Sequence, residues 1–280
     1  MNNQILYLEC YSGISGDMTV SALLDLGADQ EVLKEALKSL NVEGYEIQIG
    51  RREKCGIDAC SFDVILKEEK HQHEHSHNHV DPHHDHIHGE EHHHHEHSHH
   101  HIHRNIKDIQ EIIDNAQMSD RAKNLSKKIF HVVAKAEAKA HGILIDEVHF
   151  HEVGAVDSIV DIVAVAVCLD NLNIHEVVIS DLYEGVGHVK CQHGILPVPV
   201  PAVVNIVMDH ALPLQITDIH GELVTPTGAA IAAAIKTKDA LPSSYKIKNI
   251  GIGSGKKDFP KANILRAYII EDDGKKKQMF

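Results

Sequence analysis

Tryptophan is absent from this chain, and aromatic residues make up only 4% of its 280 positions. A core must therefore come mainly from aliphatic side chains. Cysteine is scarce: Cys10, Cys55, Cys60, Cys168 and Cys191 are odd in number and include no Cys-x-x-Cys pair. The opening MNNQILYLECYSG lacks a basic segment followed by a long apolar one, so no signal peptide is expected. No run reaches the roughly eighteen apolar residues that a membrane span needs. These absences read as a cytoplasmic protein with reduced thiols, in which Cys10 is a buried strand cysteine. Basic residues are also in deficit, 27 against 41 acidic, for a formal charge of −14. That balance argues against nucleic acid and anionic membranes as partners.

What the chain has in excess is histidine. Eighteen of its 27 histidines lie between His71 and His103. They are His71, His73, His75, His77, His79, His83, His84, His86, His88, His92, His93, His94, His95, His97, His99, His100, His101 and His103. Imidazole suits nickel, zinc and copper at neutral pH. Six interleaved acids (Glu74, Asp81, Asp85, Glu90, Glu91, Glu96) favour divalent cations further. With almost no apolar residues, the run cannot offset the entropy of ordering. It is expected to be a flexible, disordered metal-collecting insertion. A purification tag would sit at a terminus and lack the acids; a solvated linker is the blander alternative.

The apolar fraction of 42% supports a globular core. The expected parts are a 1–70 βα segment with a glycine-rich loop, the 71–103 insertion, a main α/β portion over 104–273, and a 274–280 tail. Ile5–Cys10 reads as a buried strand, followed by helices over Asp17–Leu26 and Asp29–Leu40. Tyr45–Arg51 and Ala59–Leu66 alternate as antiparallel strands across a Cys55–Asp58 turn. Helices are predicted over Asn105–Asn115, from Ser119 to Ala140, and over Ser158–Leu172, the last buried on most sides. Val177–Ser180 is a strand. Pro197, Pro199 and Pro201 mark an extended approach to a further helix, and Thr225-Pro226 caps one over Thr227–Lys236. Ile247–Ile252 and Ile264–Glu271 close the chain as strands. The class is α/β, with α+β the alternative: a mixed sheet with flanking helices.

Four segments could do chemistry. In HFHEVGAVDSIVD, His149 and His151 share a face if extended, and Glu152 follows. Asp157 and Asp161 share a helix face at spacing four. Imidazoles and carboxylates there could converge on nickel, or carboxylates alone on magnesium. The blander reading has Asp157 as a cap. The opening loop joins strand to helix, and Gly13, Ser15, Gly16 and Asp17 could cradle phosphate at a helix N-terminus. It lacks a P-loop lysine. Thr225, Thr227 and Gly228 offer a second anion cradle, beside Glu222. Gly185-Val186-Gly187-His188 with His193-Gly194 balances turn chemistry against function.

Together ECYSGISGDM, VHFHEVGAVDSIVDI, HGILPVPVPA and GELVTPTGAA resemble the nickel insertion proteins of nickel-pincer cofactor synthesis. The resemblance implies a nickel chelatase of the lyase class. It would insert nickel into pyridinium-3,5-bisthiocarboxylic acid mononucleotide, with two sulfurs and a ring carbon as ligands. It also implies a magnesium or manganese ion, CTP and an apo-racemase that receives the product; a homo-oligomer is expected separately. Forming a nickel–carbon bond needs a base, for which His149, His151 and Glu152 are the candidates. Members of that family continue into a C-terminal domain to which CTP chemistry is attributed, and this chain resembles only their N-terminal portion. A separate C-terminal companion polypeptide is therefore an expected partner. The competing class is a non-enzymatic nickel or zinc store or metallochaperone, which would explain the histidine run but not the two cradles. A generic metal-dependent hydrolase ranks below both, since no complete hydrolase motif is present.

Overall fold

The structure, a computed structural model, describes residues 4–66, 104–148, 156–191 and 194–274. The histidine run, His149–Ala155, Gln192, His193 and the terminal segments lie outside the described residues.

A six-stranded mixed sheet organises the molecule in the order β2-β3-β9-β10-β1-β4. Its strands are β1 (Gln4–Glu9), β2 (Tyr45–Lys54), β3 (Ile57–Leu66), β4 (Glu176–Ile179), β9 (Tyr245–Ser254) and β10 (Ile264–Asp272). β1 runs antiparallel to β10 and parallel to β4. β3 meets β9 in parallel at Cys60–Gly253. The first strands of the chain and the last thus share one sheet. The β2–β3 turn is tighter than expected: Cys55 and Gly56 alone make it, with φ of 52° and 79°. That two-residue geometry matches strand twist, so both strands run longer than their alternation suggested.

Helices α1 (Gly16–Asp25), α2 (Gln30–Lys38), α3 (Ile106–Asn115), α4 (Asp120–His141) and α5 (Val156–Asn171) precede β4. Helices α6 (Pro201–Asp209) and α7 (Pro226–Ile235) follow it. Their starts obey local chemistry. Ser15, Asp29, Asn105, Ser119 and Thr225 each accept a backbone N–H as N-cap. Gly142 ends α4 in the left-handed conformation. α1 lies directly on β9, because Gly251 and Gly253 let the helix backbone approach. A Cβ on Gly253 would stand 2.0 Å from the Met18 carbonyl oxygen. α5 is buried along most of its length, from Ile159 to Leu169, as its near-unbroken apolar sequence requires. It packs on α1, α2 and α4, while α4 also supports α6 and the alanine-rich α7. On the opposite sheet face, Ile5, Tyr7, Val178, Tyr268 and Ile270 form a smaller cluster, with Tyr7 and Tyr268 stacked at 5.7 Å.

Two short ladders were not foreseen. β5 (Leu182–Val186) pairs in parallel with β8 (Leu214–His220), and β6 (His188–Cys191) pairs with β7 (Gly194–Pro197). They are four to seven residues long, and Gly185, Glu184, Asp218 and His220 interrupt their apolar pattern. Cys10 is fully buried, and burial pushes its thiol up to about 12, which makes it inert, as expected of a structural cysteine.

Candidate functional site

The opening loop and the segment before α7 are one structure. Ile14 and Val224 form a parallel bridge: Ile14 N donates to Leu223 O (3.0 Å) and Thr225 N to Ile14 O (3.1 Å). The contact depends on two glycines. A Cβ on Gly13 would lie 2.0 Å from Leu223 O, and one on Gly228 2.1 Å from Ile14 O. The two anion cradles read separately in the sequence are thus neighbours.

Both open into a cavity of about 650 Å³. Four helices start at its wall. α1 contributes Ser15, Gly16 and Asp17; α5, Asp157, Ser158 and Asp161; α6, Val200, Pro201 and Ala202; α7, Thr225, Pro226 and Thr227. Each helix N-terminus carries about half a positive charge in its unpaired N–H groups. Lys190, Lys256 and Lys257 add full charges to the lining. Glu137 and His141, an i,i+4 pair at 3.5 Å near the end of α4, and Cys191 line it too.

Three carboxylates stand together in this wall. Asp17 Oδ1 accepts from Ser15 Oγ and from Met18 N (2.9 Å). Asp157 Oδ1 accepts from Ser158 N (2.9 Å). The carboxyl group of Asp161 is enclosed, and its Oδ1 has no hydrogen-bond partner. Burial first, then Asp17 and Asp157, hold Asp161 well above the usual carboxylate range, with Lys256 opposing. Burial also raises Asp157. An orphaned oxygen between two further carboxylates suits a hard divalent cation. Among the described residues no group of three or more His, Cys, Asp or Glu side chains is placed to hold a metal ion. Magnesium keeps several waters and uses one or two carboxylates, so such a set is not required.

Gly16 also has a packing reason to be glycine. Its missing Cβ would stand 2.5 Å from Asp161 Oδ2, so glycine there lets α1 meet α5. Ser15 Oγ and Thr225 Oγ1 (3.1 Å from Gly228 N) serve as helix caps at the cavity surface. Gly185 approaches Gly221, where a Cβ would meet Gly221 O at 1.9 Å, so that motif is packing chemistry. His188 is exposed and outside the lining. His149, His151, Glu152 and His193 lie outside the described residues, as does every histidine from His71 to His103.

Sequence reasoning passed over Lys190, Lys256, Lys257 and the α6 N-terminus. The signal for the lysines was present in Gly253-Ser254-Gly255-Lys256-Lys257, a glycine-spaced turn carrying adjacent cations. It also passed over Glu184, which is fully buried behind the cradle. Its Oε1 accepts from Gly185 N (2.7 Å), Leu223 N (2.7 Å) and Val224 N (3.2 Å), while Oε2 has no partner. Burial raises this carboxyl; the three amides and Lys257 oppose the shift.

The molecule is thus a mixed-sheet α/β protein whose cavity lining carries lysines, helix starts and carboxylates side by side. Residues 6–280 match the family described as nickel insertion protein, and the chain belongs to it. It is 77% identical over 273 residues to the pyridinium-3,5-bisthiocarboxylic acid mononucleotide nickel insertion protein of Alkaliphilus metalliredigens (strain QYMF), covering 98% of this chain and 62% of that protein. Proteins of the same description from Clostridium acetobutylicum and Acetivibrio thermocellus are 46% and 40% identical, over 96% and 95% of this chain and 64% and 60% of theirs. The chain thus spans somewhat under two thirds of the length of these relatives. No solved structure matches it. Among the described residues no helix is long and apolar enough to cross a membrane.

Proposed function

We propose that this chain carries the nickel-insertion step on pyridinium-3,5-bisthiocarboxylic acid mononucleotide, the compound in its relatives' names. The supporting observation is the mixed lining of the cavity in a chain of this family: lysines and helix N-termini for anionic groups, with three carboxylates among them. In the reaction nickel(II) gains two sulfurs and one ring carbon as ligands. The ring C–H bond breaks, its electron pair becomes the nickel–carbon bond, and the proton leaves to a base. Nickel keeps its oxidation state. The base is assigned to His149, His151 or Glu152, which lie a short way before the start of α5 at Val156 in the chain. Asp157 and Asp161, with water completing the set, would hold a magnesium or manganese ion, which would supply positive charge beside the bound anion. CTP use, and hand-over to an apo-racemase, we assign to the assembly with the portion of the relatives that this chain does not span, as a companion polypeptide.

The test is to incubate nickel and the bisthiocarboxylate mononucleotide with the chain and, where required, the remaining portion of a relative. Mass spectrometry should find product heavier by nickel and lighter by the displaced protons. His149→Ala/His151→Ala should lower its yield by at least about 10²-fold, the lower end for a positioned base. Full yield from the double variant removes the two histidines from the mechanism and leaves Glu152 as the base, and no product from wild type with its companion overturns the function.

The histidine run is proposed as the nickel reservoir. Deleting 71–103 should remove most bound nickel ions in equilibrium dialysis yet leave product formation intact at excess nickel. Reservoir binding should weaken from about pH 7 to pH 5 as imidazoles protonate. A store without enzymatic function would show the first effect and no product in any form.

A further inference from the structure

β2 ends in a buried lysine. Lys54 is 5% exposed, and its ammonium donates to the carbonyls of Lys256 (3.3 Å) and Lys257 (3.1 Å) and to Asp258 Oδ1 (2.5 Å). An ammonium has three N–H donors, so this set saturates it. Withdrawing an ammonium from water is costly unless every donor is used. Asp258 is exposed, so its charge alone does not call for a buried partner. What the burial secures is a pair of main-chain carbonyls some two hundred residues further along the chain.

The same loop is held from a second side. Asn263 Nδ2 donates to Lys257 O (2.9 Å), and Gly255 N donates to Asn263 O (2.9 Å). Gly255 is needed for that approach, since a Cβ would lie 2.4 Å from Asn263 Nδ2. The backbone between β9 and β10 is therefore fixed, while the side chains of Lys256 and Lys257 stay exposed at the cavity. Rigid backbone under two adjacent cations is preorganisation for an anion. Other parts of the wall suit it less. At the starts of α1 and α5 the carboxylates of Asp17, Asp157 and Asp161 repel negative charge; Lys256 offsets the latter two, and Lys257 Nζ stands 3.9 Å from Glu222 Oε2. At the α7 start Pro226 has no N–H and Thr225 Oγ1 takes Gly228 N, which leaves the Thr227 amide and the helix dipole to face an anion.

We propose that the loop from Gly255 to Asp258 is the phosphate-recognition element of the cavity. Lys256 and Lys257 hold the phosphate monoester of a mononucleotide against the start of α7, and Lys54 is the positioning residue that fixes their backbone. This rests on reading the cavity as a mononucleotide site and adds which end of the ligand goes where. A phosphate monoester is close to a dianion at pH 7, so it gains more from paired lysines than a single carboxylate does.

The test needs no nickel. Calorimetric titration of the full chain should show a pyridinium-3-carboxylate mononucleotide binding at least about tenfold tighter than its phosphate-free riboside, the value of one charge-assisted contact. Inorganic phosphate should compete. Lys256→Ala/Lys257→Ala changes exposed side chains, so it should melt like wild type while the ratio falls towards one. Lys54→Met should lower the same ratio and leave riboside affinity unchanged, a pattern that general loosening would not give. A wild-type ratio in the folded double-lysine variant overturns the proposal. An altered riboside affinity with an intact ratio in Lys54→Met makes Lys54 structural only and overturns its part. If the ratio behaves as stated but nickel is never inserted, the function above fails and the phosphate site stands.

Discussion

Glu184→Ala should cost at least about 3 kcal/mol of folding stability, because it strands three buried backbone donors at once and each such loss is worth about 1–3 kcal/mol. The amides of Gly185, Leu223 and Val224 all converge on Oε1, and the side chain is fully buried, so no water replaces it without rearrangement. Urea denaturation is the measurement. Glu184→Gln keeps the accepting oxygen and should lose less, by about 2 kcal/mol or more relative to alanine. The comparison also has a pH signature. Burial raises the folded carboxyl's pKa. Its protonation therefore favours the folded state: the resulting stability is full below the unfolded pKa and declines as pH rises through the folded one. Wild type should lose stability relative to Glu184→Gln as pH rises above the ordinary glutamate range, about 4.3, and on through the raised folded value. An alanine variant within about 1 kcal/mol of wild type would show that the amides find other partners.

What was legible in the chain follows from how local each cause is. The starts of α2, α3, α4 and α7 could be read from Asp29, Asn105, Ser119 and Thr225-Pro226 because a cap acts on amides two or three residues away. α5 was legible from its unbroken apolar run. Asp157 and Asp161 were placed on one face by helical spacing alone, and both reach the cavity. The two glycine-rich cradles were visible as motifs, but their union was not. It rests on a bridge between Ile14 and Val224, and nothing at Ile14 specifies a partner 210 positions away. Lys54 was illegible for the same reason. A lysine closing an exposed-looking hairpin reads as solvated until the β9–β10 loop is seen over it. Glu184 left a faint local trace, as the one acid inside the apolar strand Leu182-Tyr183-Glu184-Gly185-Val186. The short ladders escaped because four-residue strands offer too few alternations to count.

Gly13→Ala should destabilise the fold by at least about 2 kcal/mol more than Gly27→Ala, and only the former should abolish mononucleotide binding. Both glycines are left-handed, with φ of 90° and 108°, so alanine is strained at each by about 1–2 kcal/mol. They differ in surroundings. Nothing lies within 4 Å of a Cβ on Gly27, whereas one on Gly13 would sit 2.0 Å from Leu223 O and 2.5 Å from its carbonyl carbon. Those are backbone atoms, not the end of a side chain that can swing aside, and overpacking of this kind typically costs about 1–3 kcal/mol. The displaced carbonyl also accepts from Ile14 N, so the bridge joining the opening loop to the α7 start goes with it. The subtraction cancels strain common to both sites and leaves the clash. Thermal or urea unfolding of the two variants reads the stability difference, and calorimetry with the pyridinium mononucleotide reads the site. Equal losses in both variants would mean that the loop moves freely away from Leu223, and that the cavity's two cradles are not held together by that contact.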